Sequence, residues 1–272
     1  MSAADGVLGA LPPFAVPTPF WQEVAEVVEA ARGLHRLEVV VLRLLRAEAE
    51  TSPDGGPVVY LAEVAAPPRM PLAAWPGDPL VPHPLRAAYA EPGGPQADLE
   101  RGVDLLADVG RALTGRPEQI RTWNLSSIWR LPTSGGPVWL KSVPPMFAHE
   151  GPVLQLLRDL GAAVPDLLGR WTTPGGSGVL LADVQGVDHY SAGPAVVSAI
   201  ADRLIDLQVT CAARRGEIEG LGVPDAGDDV LLTRAEQLLP RIAPELAPAE
   251  RAAAERFVAD LPKRLAAVAG CG

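Results

Sequence analysis

The sequence predicts an α+β protein: an antiparallel sheet carrying one helix, a run of helices after it, and an α/β extension before it. Three observations predict this. Residues 116–186 alternate strand-like runs with glycine-rich turns around a single apolar-periodic segment. Residues 187–272 space their apolar side chains as helices do. Residues 1–115 hold a helical segment, two strand-like runs, a proline-crowded stretch and a second helical segment.

In the extension, Phe20 to Arg32 places Trp21, Val24, Val27, Val28 and Ala31 on one helical face, with Gly33 as its stop. Leu37 to Leu45 and Val58 to Val64 read as strands, joined by a turn over Ser52-Pro53-Asp54-Gly55-Gly56. Pro67 to Pro95 is too rich in proline for an element and reads as ordered coil. Gln96 to Leu113 reads as a helix with the stripe Leu99, Val103, Leu106 and Val109; Pro95 suits its first turn and Gly115 ends it.

In the central part, Arg121 to Leu131 reads as a strand, Pro132 to Gly136 as a turn and Val138 to Val143 as the returning strand. A helix is expected from His149 to Leu160, with Val153, Leu154, Leu156 and Leu157 as core candidates. Val164 to Arg170 and Gly178 to Val184 complete the sheet around a Pro174-Gly175-Gly176-Ser177 turn. Further on, Pro194 to Cys211 carries Val197, Ile200, Ala201, Leu204 and Leu207 at helical spacing. Asp229 to Leu239 and Pro248 to Val268 read as helices, the last broken or kinked at Pro262.

Composition narrows the function. A formal net charge of −10 leaves no basic stripe to meet nucleic-acid phosphates. The apolar stretch from Gly6 to Gln22 is cut by four prolines, which rules it out as a membrane span or signal peptide. Cys211 and Cys271 lie far apart and suggest neither a disulfide framework nor a zinc site. A soluble, cytoplasmic protein is expected.

Lys141 is one of only two lysines in the chain. It closes the apolar run Gly136-Pro137-Val138-Trp139-Leu140-Lys141, and Glu150 follows nine positions later at the start of the helix. Taken singly, these are a lysine on an edge strand and a first-turn acid favoured by the helix dipole. Taken together, a strand lysine followed by a glutamate on the next helix is the core of a kinase-type ATP site.

The order strand, glutamate-bearing helix, strand, then helices resembles the aminoglycoside phosphotransferase family of the kinase-like superfamily. The resemblance rests on Thr122-Trp123-Asn124-Leu125-Ser126-Ser127-Ile128-Trp129-Arg130-Leu131, Val138-Trp139-Leu140-Lys141, His149-Glu150 and Leu180-Leu181-Ala182-Asp183-Val184. It covers residues 116–272: a kinase-like small lobe over 116–186 and part of a helical large lobe over 187–272.

The resemblance implies ATP as cofactor and a small-molecule hydroxyl as phosphate acceptor. Lys141 would hold the nucleotide phosphates and Glu150 would orient Lys141. Trp139 shares the lysine's face and would pack on adenine, or else is a core tryptophan. Ala182, Asp183 and Val184 would offer backbone groups to adenine. Ser126 and Ser127 fall where the family covers the phosphates, or are ordinary strand hydroxyls.

The family's catalytic loop carries His-Gly-Asp and a following asparagine, and a later aspartate holds magnesium. This chain has no His-Gly-Asp, and Asn124 is its only asparagine. Ala266 to Gly272 resembles the approach to that loop. The expectation is a chain truncated before the catalytic loop and inactive by itself. The alternative expectation is a non-catalytic kinase-like module that binds nucleotide or a partner.

Overall fold

The computed structural model describes residues 2–3, 6–48, 55–187 and 189–269. The chain opens with two short strands, β1 (Ser2–Ala3) and β2 (Gly6–Val7), then helix α1 (Ala25–His35) and a hairpin of β3 (Val39–Ala47) and β4 (Val58–Val64). α1 starts at Ala25 rather than Phe20 and runs through Gly33. One interior glycine costs a helix about 1 kcal/mol but does not break it. The stop is instead Arg36, in the left-handed conformation at φ 54°. Val24, Val28 and Ala31 pack against Val39, Val41, Ala62 and Val64. The expected turn residues Ser52 to Asp54 lie outside the described residues.

The proline-crowded stretch is ordered coil with one short 3-10 turn, Ala88–Ala90. Helix α2 follows (Gly94–Asp108) and ends sooner than Leu113. Gly110 turns the chain at φ 70°, and residues 112–114 are drawn into pairing elsewhere. Thr114 N–H donates to Pro132 O and Ser134 N–H to Ala112 O, each at 3.0 Å. A tertiary contact thus overrides the helical periodicity.

Five strands then make one antiparallel sheet: β5 (Glu118–Thr122), β6 (Ser127–Leu131), β7 (Val138–Val143), β8 (Leu167–Thr173) and β9 (Gly176–Ala182), in the order β5-β6-β7-β9-β8. Helix α3 (Glu150–Asp159) sits between β7 and β8 in sequence. The single strand expected over Arg121 to Leu131 is two. The chain reverses at Trp123 to Ser126, where Trp123 N–H donates to Ser126 O at 3.0 Å. The indole Nε1 donates to Ser126 Oγ at 2.8 Å. No glycine or proline marks that turn; its sequence signal is only the weaker one of Asn124 and Ser126.

The sheet's two faces follow the period of two. Trp129, Leu131, Val138, Leu140 and Leu180 line one face and pack with Leu106 of α2, flanked by Leu99 and Leu105. Leu140 and Leu180 are fully buried. Each such leucine contributes roughly 1.5–3 kcal/mol of burial free energy. Residues 1–115 are therefore part of the sheet's own core. They also close one of its edges. Val24 N–H donates to Ile120 O, and Thr122 N–H to Gln22 O. The Gln119 carboxamide clasps Val41, accepting from its N–H at 2.9 Å and donating to its carbonyl at 2.7 Å.

Helices α4 (Pro194–Ala212) and α5 (Arg215–Gly220) come next. α4 has the predicted bounds within a residue but buries nothing: Val197, Ile200 and Leu204 are all exposed. Residues 222–272 form a separate compact unit. In it, α6 (Asp228–Ile242) packs against α7 (Pro248–Ala269). Pro262 does not break α7. It is exposed, so water can satisfy the carbonyl it leaves unbonded. Among the described residues, no helix is long and apolar enough to cross a membrane.

Candidate functional site

Lys141 lies on β7, the third strand along the five-stranded sheet. Its neighbours Leu140 and Ser142 are buried on the α2 side, so the pleat turns Lys141 and Trp139 to the other face. Lys141 stands opposite Ile128 on β6 and Val179 on β9.

Helix α3 covers that face. Gly151 makes the close approach possible: a Cβ there would meet Arg170 Cδ at 3.1 Å and Val179 Cγ1 at 3.2 Å. The residue before it, Glu150, is thereby held over β7. Lys141 Nζ donates to Glu150 Oε1 at 2.6 Å. Both side chains keep about a quarter of their surface, 29% and 26%, open to solvent. The pair is neither sealed in the core nor free in water, and a ligand anion can reach the ammonium group.

Trp139 extends the same face toward the end of β9. Its indole Nε1 donates to Asp183 Oδ1 at 2.7 Å, and Gln185 Nε2 donates to Asp183 Oδ2 at 2.8 Å. Asp183 thus acts through its carboxylate, fixing the indole; sequence reasoning had assigned it only a backbone role. The signal was present, since an aromatic N–H on a half-buried strand needs an acceptor. Ala182 ends β9, and its N–H is already given to Asp166 O at 2.9 Å. Ala182 therefore has no free donor for a base, and Asp183 and Val184 beyond the strand are the backbone positions left.

The two serines separate. Ser126 sits in the β5–β6 turn with its hydroxyl accepting from Trp123. Ser127 is 1% exposed and shares the face of Trp129 and Leu131, away from Lys141. Its parity on β6 decides this, and Ser127 does not join the Lys141 group. Its hydroxyl has no hydrogen-bond partner among the described residues.

The opposite face has a polar group of its own. Asp98 on α2 is buried, with Arg101 Nη1 donating to its Oδ1 at 2.9 Å. Burial pushes the Asp98 carboxyl above its ordinary range, against the opposing pull of the Ser142 hydroxyl and of Arg101. The apolar stripe read for this helix, Leu99, Val103, Leu106 and Val109, leaves Asp98 out, and nothing local marks an acid beside such a stripe as buried.

Among the described residues, no three His, Cys, Asp or Glu side chains gather in a way that could hold a metal. A cavity also lies elsewhere, lined by residues 9–21 and the β3–β4 hairpin. Lys141 and Glu150 do not line that cavity, and their side chains are only partly covered. Comparison with protein-family models, with curated proteins and with solved structures finds no match for this chain.

Proposed function

We propose that residues 116–186 carry a nucleotide-phosphate site of the kinase type, in a protein resembling the aminoglycoside phosphotransferases. One observation supports this above the others. A lysine on the third strand of an antiparallel sheet is bonded at 2.6 Å to the glutamate that opens the following helix. In kinases that pairing aims the ammonium group at the nucleotide phosphates. Here Glu150 would hold Lys141 extended, and Lys141 would meet phosphate oxygens as a point charge. Trp139, fixed by Asp183, offers an aromatic surface on the same face, and base stacking on an aromatic is worth roughly 1–3 kcal/mol.

The reaction such a site serves is phosphoryl transfer from ATP to a hydroxyl of a small molecule. The residues of this chain supply binding only. There is no His-Gly-Asp, and Asn124 lies in the β5–β6 turn. Positioning of the acceptor and neutralisation of the transferring group both need residues of that kind. We therefore infer that this chain binds ATP without transferring its phosphate, which also fits a non-catalytic nucleotide-binding module.

Calorimetric titration of ATP tests the reading. Lys141→Ala should weaken binding about tenfold or more, equivalent to roughly 1.4 kcal/mol, and Trp139→Ala should weaken it by a similar factor. Equal affinity in the native chain and both variants would remove the site. A phosphotransfer assay with magnesium and aminoglycoside acceptors should give no product above the uncatalysed level. Product that vanishes in Lys141→Ala would show that the chain does hold a complete catalytic set.

A further inference from the structure

The N-terminal half contains a cavity of ≈ 900 Å³, partly open to solvent. That volume lies in the range of about 300–1,000 Å³ typical of small-molecule sites. We propose that it binds an uncharged, largely hydrocarbon small molecule. The site is separate from the Lys141 group and independent of the reading given for it.

The composition of the walls fixes the ligand class. Charged residues make up 21% of the chain, yet among the described residues no Asp, Glu, Lys, Arg or His lines the cavity. The floor is the apolar side of α1, β3 and β4, including Val27, Ala31, Val41 and Tyr60. The Tyr60 hydroxyl is already spent, donating to Trp21 O at 2.7 Å. Burial pushes its pKa up to about 12, so it brings no charge at neutral pH. An ionic ligand would lose its hydration here and find no counter-charge, a cost of several kcal/mol or more. A hydrocarbon surface loses nothing and gains roughly 25 cal/mol for each Å² it buries.

The roof is built to yield. Residues 10–18 cross over the floor and are tied at their ends. Ala10 and Ala73 exchange backbone hydrogen bonds of 2.8 and 3.0 Å, and Thr18 N–H donates to Glu26 Oε2 at 2.7 Å. Between these ties, residues 11–17 make no hydrogen bond among the described residues; Pro12, Pro13 and Pro17 have no N–H to give. Phe14 rests on His35 with ring centroids 5.7 Å apart. A strap held at both ends and unbonded between them can lift to admit a ligand without breaking backbone pairing.

The test is titration of the full chain with Nile red, an uncharged apolar dye that brightens and shifts to the blue in such surroundings. One saturable site is expected. Leu45→Arg, which puts a charge in the wall, and Val59→Trp, which fills space, should each weaken binding by about tenfold or more. Val59→Trp keeps the wall apolar and decides the matter if Leu45→Arg fails to fold. Leu204→Asp, on the exposed face of α4, should leave the saturable binding intact. Unchanged binding in both cavity variants, or its loss in Leu204→Asp, overturns the proposal. Dodecanol should displace the dye while dodecanoate at pH 8 should not; equal displacement by both overturns the uncharged class. Self-association of the chain that Val59→Trp abolishes, with no dye site, would assign the cavity to a second copy and overturn it as well.

Discussion

Leu140 and Lys141 are neighbours on β7 and end on opposite faces of the sheet with opposite surroundings. Leu140 is fully buried against α2, whereas Lys141 keeps more than a quarter of its surface in water. One face is a core shared with the first 115 residues; the other holds an indole and the ion pair between β7 and a short helix. Stability should therefore reside on the α2 face and nucleotide binding on the α3 face. Mutations one residue apart should separate the two.

The largest effect is expected at Leu140→Ala. The residue is 0% exposed, so loss of its side chain leaves a cavity and should cost about 2–5 kcal/mol in urea unfolding. Indifference to this change would mean that α2 does not seal the sheet. Gly151→Val should come next, at about 1–3 kcal/mol, because its side chain would be driven into Arg170 and Val179. Unlike Leu140→Ala, it should also lift Glu150 away from Lys141 and lower ATP affinity in the folded fraction. Normal affinity there would show that the helix's closeness does not set the pair.

Asp98→Asn probes the buried polar group through pH. The folded state raises this carboxyl's pKa, so its contribution favours folding fully below the unfolded value of 3.8 and is lost as pH rises through the folded value. Native chain minus variant stability should fall over that window with a slope of at most about 1.4 kcal/mol per pH unit. A difference that grows with pH would mean Arg101 outweighs burial. The smallest stability change belongs to Lys141→Ala. Breaking a partly exposed ion pair should cost only about 0–1 kcal/mol, in contrast with its effect on ATP. A loss comparable to Leu140→Ala would erase the division between the faces.

The comparison also separates what is legible in sequence from what is not. Val58–Val64 has the bounds read from its pattern, and α3 and α4 differ from theirs by a residue, because local periodicity and flanking breakers carry that information. Lys141 and Glu150 are legible as a pair through the hairpin–helix–strand order and their nine-residue spacing, and the structure brings their side chains to 2.6 Å. Ser127 was not separable from Ser126 until the Trp123–Ser126 turn, unmarked by glycine or proline, fixed the parity of β6. The role of α2 was hidden for another reason. Its stripe shows that it must be covered, but not that its cover is a sheet formed by later residues. The exposed stripe of α4 makes the same point in reverse: spacing identifies an apolar face and says nothing of what meets it.

The Gln119 clasp on Val41 carries a consequence for dissecting this protein into parts. β5 is an end strand of the five-stranded sheet, and its outer hydrogen-bonding groups are taken by residues 22–24. A fragment cut at Arg116 would uncover that row of groups at the same time as the leucines under α2. Bare strand edges beside exposed hydrocarbon are templates for pairing between chains. The boundary that looks natural in the sequence is thus not a joint in the fold. Limited proteolysis should find residues 116–186 protected only while the first 115 remain attached, and the two should be expressed and engineered as one piece.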